Sequence, residues 1–186
     1  MKKLIALIFL FIPWVWLLSQ DGKSQKSSMQ CAWQKNETDP FTGIMNRITE
    51  FERIGYNTSL KSNLTGVIKF AIEQSIHGQD SIFNLKISSY TSPPLCFDKD
   101  SKIILKSGES IDTINLLGGK MCGQTLNSWG IINKETKDFL KIKPVDLIRI
   151  QYSGTDNTIV NFDLKEIDKY TKLIPDYFIR TLKCFE

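Results

Sequence analysis

Apolar and polar residues alternate with a period of two along most of the chain after its first thirty residues. In residues 66–73, for example, every second position from 68 to 72 is isoleucine or phenylalanine. Alternation of this kind is typical of a β-strand with one buried face and one exposed face. The same alternation in residues 81–87, after a turn-forming stretch at residues 77–80, predicts that the two strands form a hairpin.

Two further hairpins and one single strand are predicted from the same pattern. The glycine-rich residues 118–123 come directly before the single strand. They lack the Gly-Lys-Ser/Thr ending and the following helix of a phosphate-binding loop, so we expect a sharp turn that carries Cys122. The predicted strands are residues 102–106 with 111–117, residues 126–133, and residues 146–152 with 158–164.

Helical spacing of apolar residues occurs in two other places. Residues 134–140 interrupt the alternation and predict a short helix that ends before Pro144, because the residue before a proline disfavours the helical conformation. From residue 165 onward the apolar residues again follow helical spacing, and Pro175 divides this tail into two helical pieces. The apolar positions of the tail are Ile167, Tyr170 and Leu173 in the first piece and Tyr177, Phe178 and Leu182 in the second.

Together these elements predict an α+β fold that is mainly β. Six or more short strands, joined by turns that contain glycine and asparagine, are typical of an antiparallel β-sandwich or of a curved sheet of hairpins. The short helix and the C-terminal helix would pack on that sheet. A parallel, doubly wound sheet is not expected, because there are no crossover helices between successive strands.

Residues 1–20 have the order of a secretory signal peptide. Lys2 and Lys3 precede an apolar block at residues 4–18, and polar residues follow it. As a helix this block would rise about 22 Å, which is less than the roughly 30 Å hydrocarbon core of a bilayer. We therefore expect a cleaved signal rather than a permanent membrane span, with the cleavage point open between Ser19 and Ser24.

The export signal sets the expected domain organisation and location. Residues 21–30 are polar and predict a flexible lead, and residues 31–186 predict a single disulfide-stapled β-rich domain. We expect the protein to be secreted or to reside in the periplasm or cell envelope. The formal net charge of +4 falls to +2 when the two lysines of the signal peptide are removed. This small excess, spread over scattered lysines, does not indicate nucleic-acid binding.

All four cysteines lie beyond the signal peptide, and an even number in an exported chain indicates a disulfide framework. Three pairings are possible. We favour Cys31 with Cys184, because the two ends of a domain are often close in space, and Cys96 with Cys122. Zinc binding and cysteine catalysis are not favoured, because there is no Cys-x-x-Cys pair and His77 is the only histidine.

The sequence singles out no catalytic, cofactor-binding or metal-binding residue. Asp98, Asp100 and Ser101 could contribute calcium ligands, but Ile103 stands where an EF-hand loop needs glycine, so we expect a turn. A serine nucleophile in a Gly-x-Ser-x-Gly turn is absent from the sequence. Paired carboxylates of a glycosidase type stay open as an alternative, and the strand-like segments supply Glu50, Glu52 and Glu73 as candidates.

Exposed aromatic side chains are common platforms for sugars and peptides. After removal of the signal peptide the remaining tryptophans are Trp33 and Trp129. Trp129 could serve at a binding surface, but we favour packing in the core against a disulfide. Tyr152 alternates with Ile148 and Ile150 and is expected in the core.

Three stretches carry a resemblance to other proteins: CAWQKNETDPFTG at residues 31–43, CFDKDSK at residues 96–102, and YFIRTLKC at residues 177–184. They resemble a group of small exported bacterial β-rich proteins of unknown function. The resemblance covers most of the chain beyond the signal peptide. It implies a cell-envelope or secreted module and brings no catalytic residues with it.

These observations favour an exported, non-enzymatic binding or structural module of the cell envelope or extracellular space. Its partner would be an unknown extracellular or envelope protein or a glycan, with no nucleic acid and no membrane span after signal cleavage. One alternative is a hydrolase that acts on an extracellular polymer through paired carboxylates. Another is a secreted enzyme inhibitor with a rigid exposed loop in the region between Cys96 and Cys122.

Overall fold

The computed structural model describes residues 31–58, 64–154, 156–165 and 171–186, except for the side chain of Thr171. The predicted signal peptide and lead segment, residues 1–30, lie outside the described residues. Within the described ranges the chain forms these elements: β1 (Trp33–Thr38), β2 (Met45–Thr49), β3 (Glu52–Asn57), β4 (Thr65–His77), β5 (Asp80–Phe97), β6 (Lys102–Ser107), β7 (Ser110–Asn115), β8 (Met121–Ile132), α1 (Lys134–Ile142), β9 (Leu147–Ser153), β10 (Ile159–Leu164), β11 (Thr171–Leu173), α2 (Tyr177–Leu182) and a 3₁₀ turn (Lys183–Phe185).

The two longest strands, β4 and β5, form the hairpin predicted from residues 66–87, and they extend well beyond it. Their ladder runs from His77 opposite Asp80 to Thr65 opposite Ser92. Strand β8 pairs with the other edge of β5, from Phe83 opposite Ile132 onward. The hairpins β6–β7 and β9–β10 are also confirmed.

All strands belong to one antiparallel sheet in the order β1-β2-β4-β5-β9-β6-β7, with β3, β8, β10 and β11 paired alongside. The prediction of a mainly β, α+β fold is confirmed. Side chains of β10 contact β3 and β4, which are not its neighbours in the sheet, and these contacts show that the sheet curves. A Cβ atom on Gly66 of β4 would lie 3.2 Å from the ring of Phe162, and one on Gly55 of β3 would lie 2.9 Å from the side chain of Leu164.

The core fills the concave side of this curved sheet. Ile68, Phe70 and Ile72 of β4 are fully buried, as their alternation predicts. Tyr152 is 1% exposed and stacks on Phe97 with ring centroids 4.9 Å apart, which confirms its predicted place in the core. Further buried residues that the strands direct inward are Leu85, Ile87, Ile103, Leu105, Ile148, Ile150 and Leu164.

The predicted short helix is confirmed as α1. The side chain of Asn133 caps it by accepting a hydrogen bond from the backbone N–H of Thr136 at 2.7 Å. The helix ends at Ile142, two residues before Pro144, as predicted. Leu140 lies on its buried side and is fully buried.

The prediction of a helix for the first part of the tail is wrong at Leu173, whereas the second helical piece is confirmed as α2. Leu173 lies in β11, opposite Gly55 of β3, and is 2% exposed. A Cβ atom on Gly55 would lie 2.6 Å from the backbone oxygen of Lys172, so glycine permits this close pairing. Long-range pairing with β3 thus overrides the local helical spacing. Ile167 and Tyr170 lie outside the described residues.

The glycine-rich stretch at residues 118–123 is a shorter turn than predicted. Met121 already begins β8, and Cys122 pairs in the ladder opposite Cys96 of β5. The exposed turn therefore comprises residues 118–120. Gly118, with a φ of +131°, adopts a backbone conformation that favours glycine at this position.

The cysteines form two disulfides, Cys31 with Cys184 and Cys96 with Cys122, which are the pairs that the sequence favoured. The first links the N-terminal edge of the sheet to the end of the chain. At the same place the guanidinium of Arg47 lies 4.6 Å from the ring of Trp33, and it donates a hydrogen bond to the backbone oxygen of Cys184 at 3.1 Å. The second disulfide joins the neighbouring strands β5 and β8.

Candidate functional site

The convex side of the sheet, which we call the outer face, carries side chains of β4, β5 and β8 that point away from the core. Residues paired across antiparallel strands project to the same side. Lys86 is paired with Trp129, Asn84 with Ile131, and Ser88 with Asn127, so all of these lie on the outer face. The residues between them on β5, such as Ile87, point into the core.

A groove of about 450 Å³ lies on the outer face. Its volume is within the roughly 300–1,000 Å³ typical of small-molecule sites. Strands β5 and β8 supply one part of its lining, and β1, β2 and Phe51, which lies between β2 and β3, supply the rest. We call it the outer groove, and its lining residues are Gln34, Ile48, Phe51, Lys86, Ile87, Asn127, Ser128 and Trp129.

Trp129 is the largest aromatic side chain of the groove, and it is 42% exposed. The prediction that it packs in the core against a disulfide is therefore wrong. Leu126 and Ile132 of β8 are buried, and Trp129 lies at an odd number of residues from both, so the pleat of the strand directs it outward. The disulfide at Cys122 is also seven residues away, about 23 Å along an extended strand.

Backbone contacts on both edges of β8 hold Trp129 in this orientation. On one edge β8 pairs with β5. On the other edge the backbone N–H of Leu117 donates to the backbone oxygen of Trp129 at 2.7 Å, and the hydroxyl of Ser128 donates to the backbone oxygen of Leu117 at 2.9 Å. Below Trp129, Gly130 allows close approach of β7, because a Cβ atom there would lie 2.5 Å from the backbone oxygen of Asn115.

The lining of the outer groove carries little net charge. Its one ionised side chain is Lys86, whose Nζ lies 3.3 Å from Oε1 of Glu73 on the neighbouring strand. The other carboxylate oxygen of Glu73 accepts a hydrogen bond from Nδ2 of Asn84 at 3.1 Å. Gln34, Asn127 and Ser128 contribute amide and hydroxyl groups. The groove thus combines exposed aromatic surface with uncharged donors and acceptors.

Further apolar side chains are exposed near the groove on the same face. Tyr90 is 49% exposed and lies four residues along β5 from Lys86, about 13 Å away. Ile131 and Ile82 are 51% and 55% exposed, and their ladder partners Asn84 and Ser75 place them on the outer face. The outer face thus carries several exposed apolar side chains with polar ones such as Asn84 and Ser88 between them.

The structure does not bring together the three glutamates that the sequence offered as catalytic candidates. Glu52 pairs with Phe70 of β4. Glu73 lies three residues from Phe70 on the same strand, so Glu52 and Glu73 point to opposite sides of the sheet. Glu52 forms an ion pair with Arg180 at 3.0 Å, and Glu73 forms one with Lys86. Glu50 is exposed. Each carboxylate has a separate environment, which is unlike the paired arrangement of a glycosidase.

Asp98 and Ser101 form the turn that the sequence predicted between β5 and β6. Oδ1 of Asp98 accepts from the backbone N–H of Asp100 at 2.9 Å, and Oδ2 accepts from the hydroxyl of Ser153 on β9. The hydrogen bond from Ser153 holds the pKa of Asp98 below its usual value. Among the described residues, no three His, Cys, Asp or Glu side chains converge on a point where a metal ion could bind.

The remaining sequence candidates lie apart from the groove. His77 is exposed, as predicted, but it is the last paired residue of β4 and not part of the turn. Cys96 is buried and Cys122 is exposed, and the chain between them is mainly the β6–β7 hairpin. At the turn before β8, Nζ of Lys120 donates to Oδ1 of Asn157 at 2.8 Å.

Sequence patterns single out Trp129 but not the other side of the groove. Gln34 lies in β1, Ile48 in β2, and Phe51 directly before β3. Strands β1 and β2 show no clear alternation and were not predicted. Across the described part of the chain, neither helix has the length and apolar composition needed to cross a lipid bilayer.

Comparisons with protein-family models, with curated proteins and with solved structures find no match to this chain.

Proposed function

We propose that this chain is an exported, non-enzymatic binding module of the cell envelope or extracellular space, and that its ligand binds in the outer groove. The observation that carries the proposal is the exposed indole of Trp129, held on a strand that is hydrogen-bonded on both edges. Because the backbone is already fixed, binding orders only a few side-chain torsions. A rigid aromatic platform therefore loses little conformational entropy on binding.

The surroundings of Trp129 support a binding role over a structural one. Its side chain faces away from the core, so its exposed part contributes little to the stability of the fold. Phe51 lines the same groove and is 38% exposed. Two aromatic side chains thus line one groove, and aromatic residues are enriched at binding surfaces.

Export is supported by two separate features of the chain. Residues 1–20 have the pattern of a signal peptide. The two disulfides are bonds that form and persist in an oxidising compartment. A module of this type would meet its ligand outside the cytosol, where both glycans and envelope proteins are present.

The experiment compares the wild-type protein with Trp129→Ala and with the control Ile111→Ala. Ile111 is 65% exposed on β7, so its truncation removes an exposed apolar side chain elsewhere. Each protein is produced from the full chain. It is incubated with insoluble envelope and extracellular material from the cells that make this protein naturally, and the material is then sedimented. Thermal unfolding checks that all three proteins are folded.

We expect wild type and Ile111→Ala to sediment with this material. For Trp129→Ala we expect affinity to fall by at least tenfold, because truncation of a central aromatic contact costs about 2 kcal/mol or more. If Trp129→Ala binds as well as wild type, or if wild type does not bind, the proposal is wrong.

A further inference from the structure

We infer that the ligand of the outer groove is an uncharged oligosaccharide that lies along β5, a step that rests on the function proposed above. The inference combines four properties of the outer face: its charge, its hydrogen-bonding groups, the spacing of its aromatic residues and the size of the groove. Each of the four restricts the class of ligand independently.

The charge of the lining favours a neutral ligand. Lys86 is the cation of the groove, and Glu73 lies 3.3 Å from its ammonium group. The second oxygen of Glu73 is used by Asn84 at 3.1 Å. An anionic ligand would have to compete with Glu73 for Lys86, and a cationic ligand would have to displace Lys86 from Glu73. A neutral ligand leaves this pair intact.

The polar groups of the lining suit hydroxyl groups. The side-chain amides of Gln34 and Asn127 each offer both donors and acceptors, and the hydroxyl of Ser128, whose hydrogen is donated to Leu117, can still accept. A sugar hydroxyl is also both a donor and an acceptor, so these groups can satisfy it in either direction. A sugar ring additionally has an apolar C–H face, which stacks on an aromatic ring such as the indole of Trp129.

The spacing of the aromatic residues indicates more than one sugar unit. Tyr90 lies on the same face as Trp129, four positions along β5 from Lys86, the ladder partner of Trp129. This is about 13 Å along the strand, longer than a single sugar ring. Between the two aromatic residues the ladder places Ser88 opposite Asn127, a hydroxyl and an amide. A chain of sugar units along β5 would meet an aromatic, a polar and an aromatic position in turn.

The size of the groove favours an oligosaccharide over a folded protein. The groove has a volume of about 450 Å³, in the range of small-ligand sites. A stable protein–protein interface covers roughly 800 Å² on each partner, with a fully buried apolar centre. On the outer face, polar side chains such as Asn84, Ser88 and Asn127 lie between the apolar residues.

Two treatments of the envelope material distinguish a glycan from a protein. A mixture of cellulase, amylase, β-1,3-glucanase and chitinase degrades the neutral glycans from which the probes below are derived, whereas protease digestion removes proteins. We expect sedimentation of the wild-type protein to fall at least tenfold after the glycan hydrolases and to remain after protease. If binding requires Trp129 but survives the glycan hydrolases and is lost after protease, the proposed function stands and the saccharide inference is wrong. If Trp129→Ala binds normally, the proposed function itself fails.

A second measurement tests the length and charge of the ligand with defined probes. Cellohexaose, maltohexaose, laminarihexaose and chitohexaose serve as neutral probes, the matching disaccharides as short probes, and oligogalacturonate as an anionic probe. We expect at least one neutral hexasaccharide to shift the tryptophan emission of wild type and of Ile111→Ala, but not of Trp129→Ala. Its affinity should exceed that of the disaccharide and of oligogalacturonate at least tenfold.

The variant Tyr90→Ala examines the extended binding mode directly. Tyr90 contributes outside the groove, so its loss should weaken binding of the hexasaccharide at least fivefold and leave the disaccharide unaffected. Equal losses for both lengths would overturn the placement along β5. Failure of all four neutral hexasaccharides to bind would overturn the inference of an uncharged oligosaccharide.

Discussion

Trp129 lies directly opposite Lys86 in the ladder between β8 and β5, so an exposed indole and an ion-paired ammonium group share one position of the outer face. The ion pair between Lys86 and Glu73 bridges β5 and β4 beside the groove. The side chains of Lys86 and Glu73 are 32% and 18% exposed, so solvent screens the pair only in part. The pair keeps the lining neutral without covering the indole.

We predict that Lys86→Met changes stability only slightly. Partly exposed ion pairs contribute roughly 0–1 kcal/mol, and methionine retains much of the apolar stem of lysine. The free energy of unfolding in urea should therefore fall by about 1 kcal/mol or less. Lys69→Met, at an exposed position on the same face of β4, should leave it unchanged. A loss well above 1 kcal/mol for Lys86→Met would show that the pair is a main stabilising contact of the sheet.

We predict unequal contributions from the two disulfides. Cys31 and Cys184 are 153 residues apart in sequence, whereas Cys96 and Cys122 are 26 apart. In the loop-entropy description the longer loop stabilises the fold by about 5 kcal/mol and the shorter by about 3.5 kcal/mol. Replacing both cysteines of one bridge by serine, followed by urea unfolding, measures each contribution. A larger loss from the Cys96–Cys122 replacement would contradict the predicted order.

We predict that Asp98 makes the stability of the fold depend on acidic pH. Its folded-state pKa is lowered, first by the hydrogen bond from Ser153, so the carboxylate stabilises the fold above the unfolded pKa of about 4. This contribution is lost as the pH falls through the lowered pKa. Asp98→Asn should reduce the free energy of unfolding by about 1–2 kcal/mol at pH 7 and by less at pH 2.5.

Asp100→Asn is the matched control for the acidic turn. Asp100 is exposed, and its backbone N–H, which donates to Asp98, is retained in the variant. Urea unfolding of Asp100→Asn at both pH values should follow the wild type. If Asp98→Asn loses the same amount at pH 7 and at pH 2.5, the Asp98 carboxylate does not cause the pH dependence.

The core strands were predictable because their apolar residues alternate cleanly. Phe83, Leu85 and Ile87 carry the pattern on β5, and all three are buried. In contrast, β1 has the sequence WQKNET and is almost entirely exposed, so it offers no apolar alternation to recognise. It is a strand because β2 pairs with it and the Cys31–Cys184 disulfide fixes the chain beside it. Cys184 lies 153 residues from Cys31 in sequence, so this partner leaves no local signal in β1.

The outward direction of Trp129 was in part available from the sequence. Leu126 and Ile132 are buried and lie on one face of β8. Trp129 is three residues from each of them, so the alternation of a strand places it on the other face. Ile131 adds a second large apolar residue to that outward face, so both faces carry apolar residues and the pattern alone does not assign the core side. The pairing with β5 resolves this, since Trp129 lies opposite Lys86 and Ile131 opposite Asn84.

Gly130 provides a test that connects the packing under β8 to the binding surface above it. A Cβ atom at this position would lie 2.5 Å from the backbone oxygen of Asn115 and 2.5 Å from Cγ2 of Ile114. Because the first of these atoms belongs to the backbone of β7, a methyl group can be accommodated only if the strands shift. We therefore predict that Gly130→Ala reduces the free energy of unfolding by about 2–3 kcal/mol.

The shift should also be visible at the outer groove, because Trp129 is the preceding residue of the same strand. Sedimentation of Gly130→Ala with the envelope material should weaken at a temperature where the variant is still folded. Gly119→Ala is the control, since no atom lies within 4 Å of the added Cβ and the position is an exposed turn. It should match the wild type in both measurements. Wild-type stability and binding in Gly130→Ala would show that β7 does not hold Trp129 in place.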